Sequence, residues 1–405
     1  MNSNSKTNRR FNYRATILLA LMSLTTFVST RLQADTGSCA GVNVTLPFTD
    51  VAGNGFFCQI AAAYFSGLTN GTTATTFSPV DVVTREQMAA FITRTLDQSL
   101  ERGSRRTALK QFSTPKTNLD LDYIQVGSVT NQAPEPGVAS DGEDVWVSDI
   151  FAATVTRIHA SDGKILGTWT GAIYPSGICV AKGKVFVTSG SSPGKLYRIS
   201  PKASPGAVTV GATDLGGQAA GIAYDGERIW TADYSGSVSL VSINSALPWP
   251  VSIKSIGFSH PAGILYDGNN MWVTDAGDDT LKKLDPIDAT VTLIVPVGDN
   301  PQSPVFDGTN IWIPNFASNS ITVVRASTGA VLATLTGNGL DQPIAAAFDG
   351  ERILVTNQGD SRVSLWKATS LAPLGSVTTS AEPYAACSDG LNFWITFDRG
   401  LIARF

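Results

Sequence analysis

Histidine is nearly absent from this chain, with two in 405 residues, and only 15% of the residues are charged. A charged share of about 25% is usual for a globular protein, so this surface is built mostly from neutral groups. Two histidines leave little material for His-rich metal sites or for His-centred acid–base chemistry. No long basic run exists and the net charge is −4, which removes the electrostatic footprint that nucleic-acid binding needs. Cysteine is scarce as well, at four. Apolar residues are not: at 43% they disfavour disorder and suffice for a large core. The 38 glycines and 8 tryptophans carry the organising pattern, as their placement below shows.

The N-terminus reads as an address. Residues 1–14 hold Lys6, Arg9, Arg10 and Arg14 and no acidic residue. Ala15 to Ser29 is an apolar stretch of 15 residues, and Leu32-Gln33-Ala34 ends in a small residue before Asp35. This is the order of a secretory signal peptide over 1–34. The stretch falls short of the roughly 20 residues of a comfortable membrane span; an uncleaved N-terminal anchor is the alternative. No second apolar stretch of that length follows, so no transmembrane span is expected after cleavage. Cleavage removes five positive charges and no negative ones, leaving a mature chain of net charge −9. The expected location is exported: cell surface, cell wall, periplasm or medium.

Residues 35–100 read as a small helical module. Phe56, Phe57, Ile60, Tyr64 and Phe65 recur at helical spacing, and Gly67 and Asn70-Gly71 stop that helix. Thr84 and Gln87 have the spacing of a capping box, with Met88, Phe91, Ile92 and Leu96 as the buried stripe of a second helix. In an oxidising compartment Cys39 and Cys58 pair as a disulfide; two buried thiols are the other reading. The order Phe48-Thr49-Asp50-Val51, SGLTNG at 66–71, TFSP at 76–79 and VTREQMAAFITRTL at 83–96 resembles a single S-layer homology domain. The resemblance implies attachment to cell-wall glycan or peptidoglycan. Arg85 would meet the polymer, with Asp50 and Thr84 shaping the pocket; alternatively Asp50 and Thr84 are only helix caps and Arg85 a solvated first-turn residue. Such domains usually occur as three tandem copies, and this chain has one. Residues 101–118 carry five Lys/Arg, one Glu and no apolar period, and read as a linker.

Residues 119–405 are a repeat array. Asp-Gly occurs at 141, 225, 267, 307, 349 and 389, with Ala181-Lys182 in the remaining slot, at intervals of 40, 44, 42, 40, 42 and 40 residues. Four or five residues after each anchor stand Trp146, Phe186, Trp230, Trp272, Trp312, Leu354 and Trp394. Three further on come Asp149, Ser189, Asp233, Asp275, Asn315, Asn357 and Phe397. Four-stranded units with a period near 40 are the pattern of a β-propeller, here mainly β with seven blades. The segment at 123–129 has no local partner and would complete the last blade, closing the ring; an open or six-bladed ring is the alternative. Cys179 and Cys387 fall in first-strand packing slots of blades two and seven and are expected as buried thiols. The slots resemble the NHL and YVTN class, including streptogramin-lyase-like propellers.

Loops before each first strand emerge on the face where propellers hold ligands. Three residues ahead of each first-strand glycine slot stand Pro134, Tyr174, Gln218, His260, Asn300, Gln342 and Glu382, all expected to point toward the axis; the six other than Pro134 can hydrogen-bond and are expected to bind a small polar ligand, a peptide, a glycan or a protein. The Asp/Asn set at 149–357 opens onto the same face or satisfies turn amides. Asp275, Asp278 and Asp279 lack the spacing of a Ca²⁺ loop, and neither metal nor cofactor is expected. Streptogramin lyases need a His base with acidic and metal-binding partners. Here His159 lies in a third strand, leaving His260, with Glu382, as the only candidate acid–base pair. The preferred reading is a non-catalytic, wall-attached binding protein; a secreted lyase- or lactonase-like enzyme is the alternative.

Overall fold

Each Asp-Gly anchor closes the hairpin between the first two strands of a blade, and the reason is local chemistry. In blade 4, Asp267 Oδ1 accepts the amides of Asn269 and Asn270 at 2.8 and 2.7 Å, while Gly268 takes φ +97°, where a side chain would be strained. The second carboxylate oxygen accepts Trp272 Nε1 at 2.7 Å. The same tie recurs from Trp230 to Asp225, Trp312 to Asp307 and Trp394 to Asp389, at 2.6, 2.9 and 2.8 Å. The repeated Asp and Trp are therefore one device, binding the turn to the blade core. Blade 6 has Leu354 in the slot, and there Arg352 Nε takes Asp349 Oδ2 instead, at 2.8 Å. In blade 1 the Trp146 ring carries Arg157 at 5.4 Å over its face.

The computed structural model describes residues 34–39, 42–65, 68–92, 121–126, 137–244 and 246–405. Residues 1–33 of the expected signal peptide, the 101–118 linker, Leu96 and Pro134 lie outside them. Seven antiparallel four-stranded sheets form a propeller. First strands of successive blades neighbour one another around the axis. Blade 7 combines Pro383–Ser388, Phe393–Phe397 and Leu401–Arg404 with Asp122–Gln125, which pairs in register from Asp122 with Arg404 to Gln125 with Leu401. That closure shields two sheet edges. Neighbouring blades are stitched by hydroxyls: Ser148 Oγ donates to Ser176 O, Thr274 Oγ1 to Gln302 O and Thr356 Oγ1 to Tyr384 O, at 2.8, 2.9 and 2.6 Å. Gly177 permits this approach, since a Cβ there would lie 2.2 Å from Ala220 O.

The N-terminal module departs from the expected all-helical form. A hairpin of Thr36–Cys39 with Val42–Thr45 precedes α1, Phe57–Phe65. Phe57, Ile60 and Phe65 are buried, and Phe56, expected on the same stripe, is exposed. Cys39 and Cys58 form a disulfide that ties the hairpin to α1. The capping box at 84–87 is present, with Gln87 N on Thr84 Oγ1 at 3.1 Å and Thr84 N on Gln87 Oε1 at 2.8 Å. The stripe that follows is not buried as expected: Met88 is 50% and Ile92 63% exposed, and Phe91 is half-buried. Cys179 and Cys387 are free thiols in different blades. Burial pushes Cys179 up to about 12, and Cys387 upward too, so neither is a ready nucleophile. Among the described residues no helix is long and apolar enough to cross a membrane.

Candidate functional site

Convergence of the first strands leaves a cavity of about 270 Å³ on the axis. Its polar lining comes from Ser176, Tyr234, Gln302, Ser303 and Tyr384, and its apolar wall from isoleucines such as Ile222 and Ile264. No carboxylate, lysine, arginine or histidine lines it. The phenols and the amide are neutral donors and acceptors, suited to hydroxyl-rich or amide-bearing ligands.

The residues expected to face the axis stand one step outside this cavity. Tyr174, Gln218, Asn300 and Gln342 all adopt positive φ, between 46° and 58°. Each turns its carbonyl toward the loop joining the second and third strands of its blade. Gly190 N donates to Tyr174 O, Tyr234 N to Gln218 O, Ala276 N to His260 O, Phe316 N to Asn300 O, Gln358 N to Gln342 O and Asp398 N to Glu382 O. The six positions are thus structurally equivalent. Their side chains are exposed, or half-buried for Asn300, and none lines the cavity. The cavity slot is two residues later: Ser176, Ala220, Ala262, Gln302, Ile344 and Tyr384. Alternation along a strand puts residues two apart on one face, so it does not separate the two slots; the positive φ at the rim position, which turns that residue out of the strand, does.

Rim and lining nevertheless touch. Gln302 Nε2 donates to Asn300 Oδ1 at 2.6 Å, and Tyr384 OH to Glu382 Oε2 at 3.4 Å. The His260 ring lies 5.1 Å from that of Tyr234, at 45°. Its Nδ1 is 3.3 Å from Ser259 Oγ. No hydrogen bond or ion pair joins His260 to Glu382 among the described residues, and they belong to blades 4 and 7. His159 ends the third strand of blade 1 with Nδ1 3.0 Å from Asp162.

Buried Asp and Asn residues support the loops beneath this rim. Asp275 accepts the amides of Ser259 and His260 at 2.8 and 2.7 Å and the Lys282 ammonium at 2.6 Å. Burial pushes its carboxyl up, but the lysine and those amides together hold it below the usual range. Lys282 Nζ also bonds Asp278 at 2.6 Å and Gly257 O at 2.7 Å, so an ammonium occupies the one place where these aspartates converge. Asp279 Oδ1 caps Asn300 N. Asp233 has no cationic partner; it accepts from the hydroxyls of Thr231, Ser237 and Ser239, at 2.6, 3.0 and 2.5 Å, and the Gly216 backbone amide also favours its charged form. Burial pushes it up to about 6 against those hydroxyls. Asn315 and Asn357 bond equivalent hydroxyls, Ser320 and Thr322 in one blade and Ser364 in the next. Asp149 accepts the turn amides of Phe151 and Ala152. Among the described residues no three His, Cys, Asp or Glu side chains are grouped as a metal site.

In the N-terminal module, Asp50 accepts the amides of Phe77 and Ser78 at 2.9 and 2.7 Å, and Thr84 is spent on its cap. Arg85 is exposed in the first turn of helical residues 85–92.

No family model matches the chain, and no curated protein matches it. Solved structures do. Virginiamycin B lyase from Staphylococcus aureus superposes with a TM-score of 0.58 at 18% identity, over 70% of this chain and 98% of that one. A streptogramin B lyase gives 0.55 at 16%, covering 70% and 97%. The WD40 β-propeller domain of Doa1 gives 0.56 at 14%, covering 70% and 96%. At such identities the likeness is one of fold, shared by lyases and WD40 propellers alike.

Proposed function

We propose that the protein is exported, held at the cell surface by its N-terminal module, and binds a neutral hydroxyl-rich ligand such as a glycan at the axial cavity. The neutral lining of that cavity, two tyrosines with an amide and two serines, carries this reading. Stacking on a phenol face and hydrogen bonding to amide and hydroxyl suit sugar rings, and no charge there selects for an ion. The order of residues 1–34 supports export, and the Cys39–Cys58 disulfide is in keeping with an oxidising compartment. Arg85 is the residue of the module that meets wall polymer.

Two experiments test this. Mature protein should co-sediment with purified sacculi, and Arg85→Ala should weaken that at least tenfold; equal sedimentation would overturn the anchoring. Calorimetric titration with neutral oligosaccharides should show binding that Tyr384→Ala removes. Retained affinity in that variant would move the site elsewhere. The fold shared with streptogramin-type lyases, together with His260 on the rim, sustains an enzyme reading using His260 and Glu382. Turnover of a streptogramin B or of a lactone, abolished by His260→Ala, would replace binding with catalysis.

A further inference from the structure

Helix α1 has no basic residue in its last turn. Its final carbonyls need donors from outside the helix, and the negative end of its dipole favours a cation. Leu68 N returns to Ala63 O, but the carbonyls of Tyr64 and Phe65 are met by the propeller. Arg325 Nη2 donates to Tyr64 O at 2.6 Å, and Asn310 Nδ2 to Phe65 O at 2.7 Å. The guanidinium also lies 5.3 Å over the Tyr64 ring. Asn310 and Arg325 face each other across the second and third strands of blade 5; Asn310 is fully buried and Arg325 only 8% exposed.

Asn310 also bonds the aspartate of its own turn, Asp307, at 3.3 Å, as Asn270, Asn392 and Arg352 bond theirs, and the bond to the helix end is an addition to that shared tie. In blade 5 both members of the pair reach outward to one helix end. The apolar contact agrees: one buried cluster runs from Phe48, Ile60 and Phe65 into Trp312, Ile321 and Trp366.

We infer that blade 5 carries a built receptor for the C-terminal end of α1, and that module and propeller form one cooperative unit rather than two domains on a tether. This holds whatever the module binds.

Hydrogen exchange on the full mature chain, disulfide intact, tests it. In the wild type, α1 should exchange as slowly as the strands of blade 5. Arg325→Ala should speed α1 exchange about 10- to 100-fold, the loss of a charge-assisted hydrogen bond at a buried site, and leave blades 1–3 unchanged. Arg325→Lys should fall between, since an ammonium lacks the planar fork that stacks on Tyr64. Arg228→Ala, removing a cation that pairs within its own blade 3, should leave α1 unaffected. Unprotected α1 in the wild type, or α1 rates unmoved by Arg325→Ala, would overturn the inference. Should Arg325→Ala not fold, wild-type calorimetry decides: one transition supports the single unit, and a separate early transition of the module refutes it.

Discussion

Asp233 offers the sharpest test of the physical reasoning, because blades 5 and 6 already contain its replacement. Asn315 and Asn357 fill the equivalent slot with similar hydroxyl partners, so Asp233→Asn changes charge with little change of shape. The folded carboxyl titrates at about 6, against about 3.9 for an unfolded aspartate. Above pH 6 both states are ionised and the folded state bears the burial cost. As pH falls from 6 toward 4, the folded state takes up a proton while the unfolded state stays ionised, and stability rises. Below 4 both are protonated and nothing more is gained. The difference amounts to ~3 kcal/mol over that window, which for a unit of this size corresponds to roughly 3–4 °C in Tm. Differential scanning calorimetry of wild type and variant from pH 4 to 8 isolates it. The wild type should gain on acidification relative to Asp233→Asn, and the variant should melt higher at pH 7.5. A constant gap across the range, or a variant weaker at pH 7.5 than at pH 4, would refute the account.

Three further outcomes are expected. Lys282→Met leaves Asp275 buried without its cation and should cost about 3–5 kcal/mol; adding Asp275→Asn should recover much of this in denaturant titrations. Trp272→Phe removes the Nε1 bond to Asp267 and should cost about 1.5–3 kcal/mol by urea unfolding, whereas Leu354→Phe in blade 6, where no such bond exists, should cost less. Reducing Cys39–Cys58, which closes a separation of 19 residues, should cost about 3 kcal/mol, read as a lower melting temperature in reductant. If module and propeller are one unit, the same transition should move.

The propeller was legible because its repeating chemistry is local. An aspartate that caps residues two and three ahead and bonds a tryptophan five ahead leaves a pattern that recurs about every 40 residues. The capping box at Thr84 and Gln87 and the pairing of Cys39 with Cys58 were legible for the same reason of short reach. The closing strand could be inferred from a leftover segment and a short last unit. The candidate site was legible only in part. Tyr174, Gln218, His260, Asn300, Gln342 and Glu382 are equivalent rim positions, but the cavity takes the side chains two residues later, such as Gln302 and Tyr384.

Sequence alone thus settled the period, the blade count and the turn chemistry, since each depends on residues a few positions apart. Tertiary structure decided which side chains line the axis, because that follows from the convergence of seven first strands. It also decided that Met88 and Ile92 stay uncovered among the described residues while α1 is capped from blade 5. Asn310 and Arg325 meet carbonyls 245 and 261 positions earlier. Nothing in the local pattern of blade 5 specifies so distant a partner, since helix dipole, buried amide and guanidinium come together only once the ring has formed.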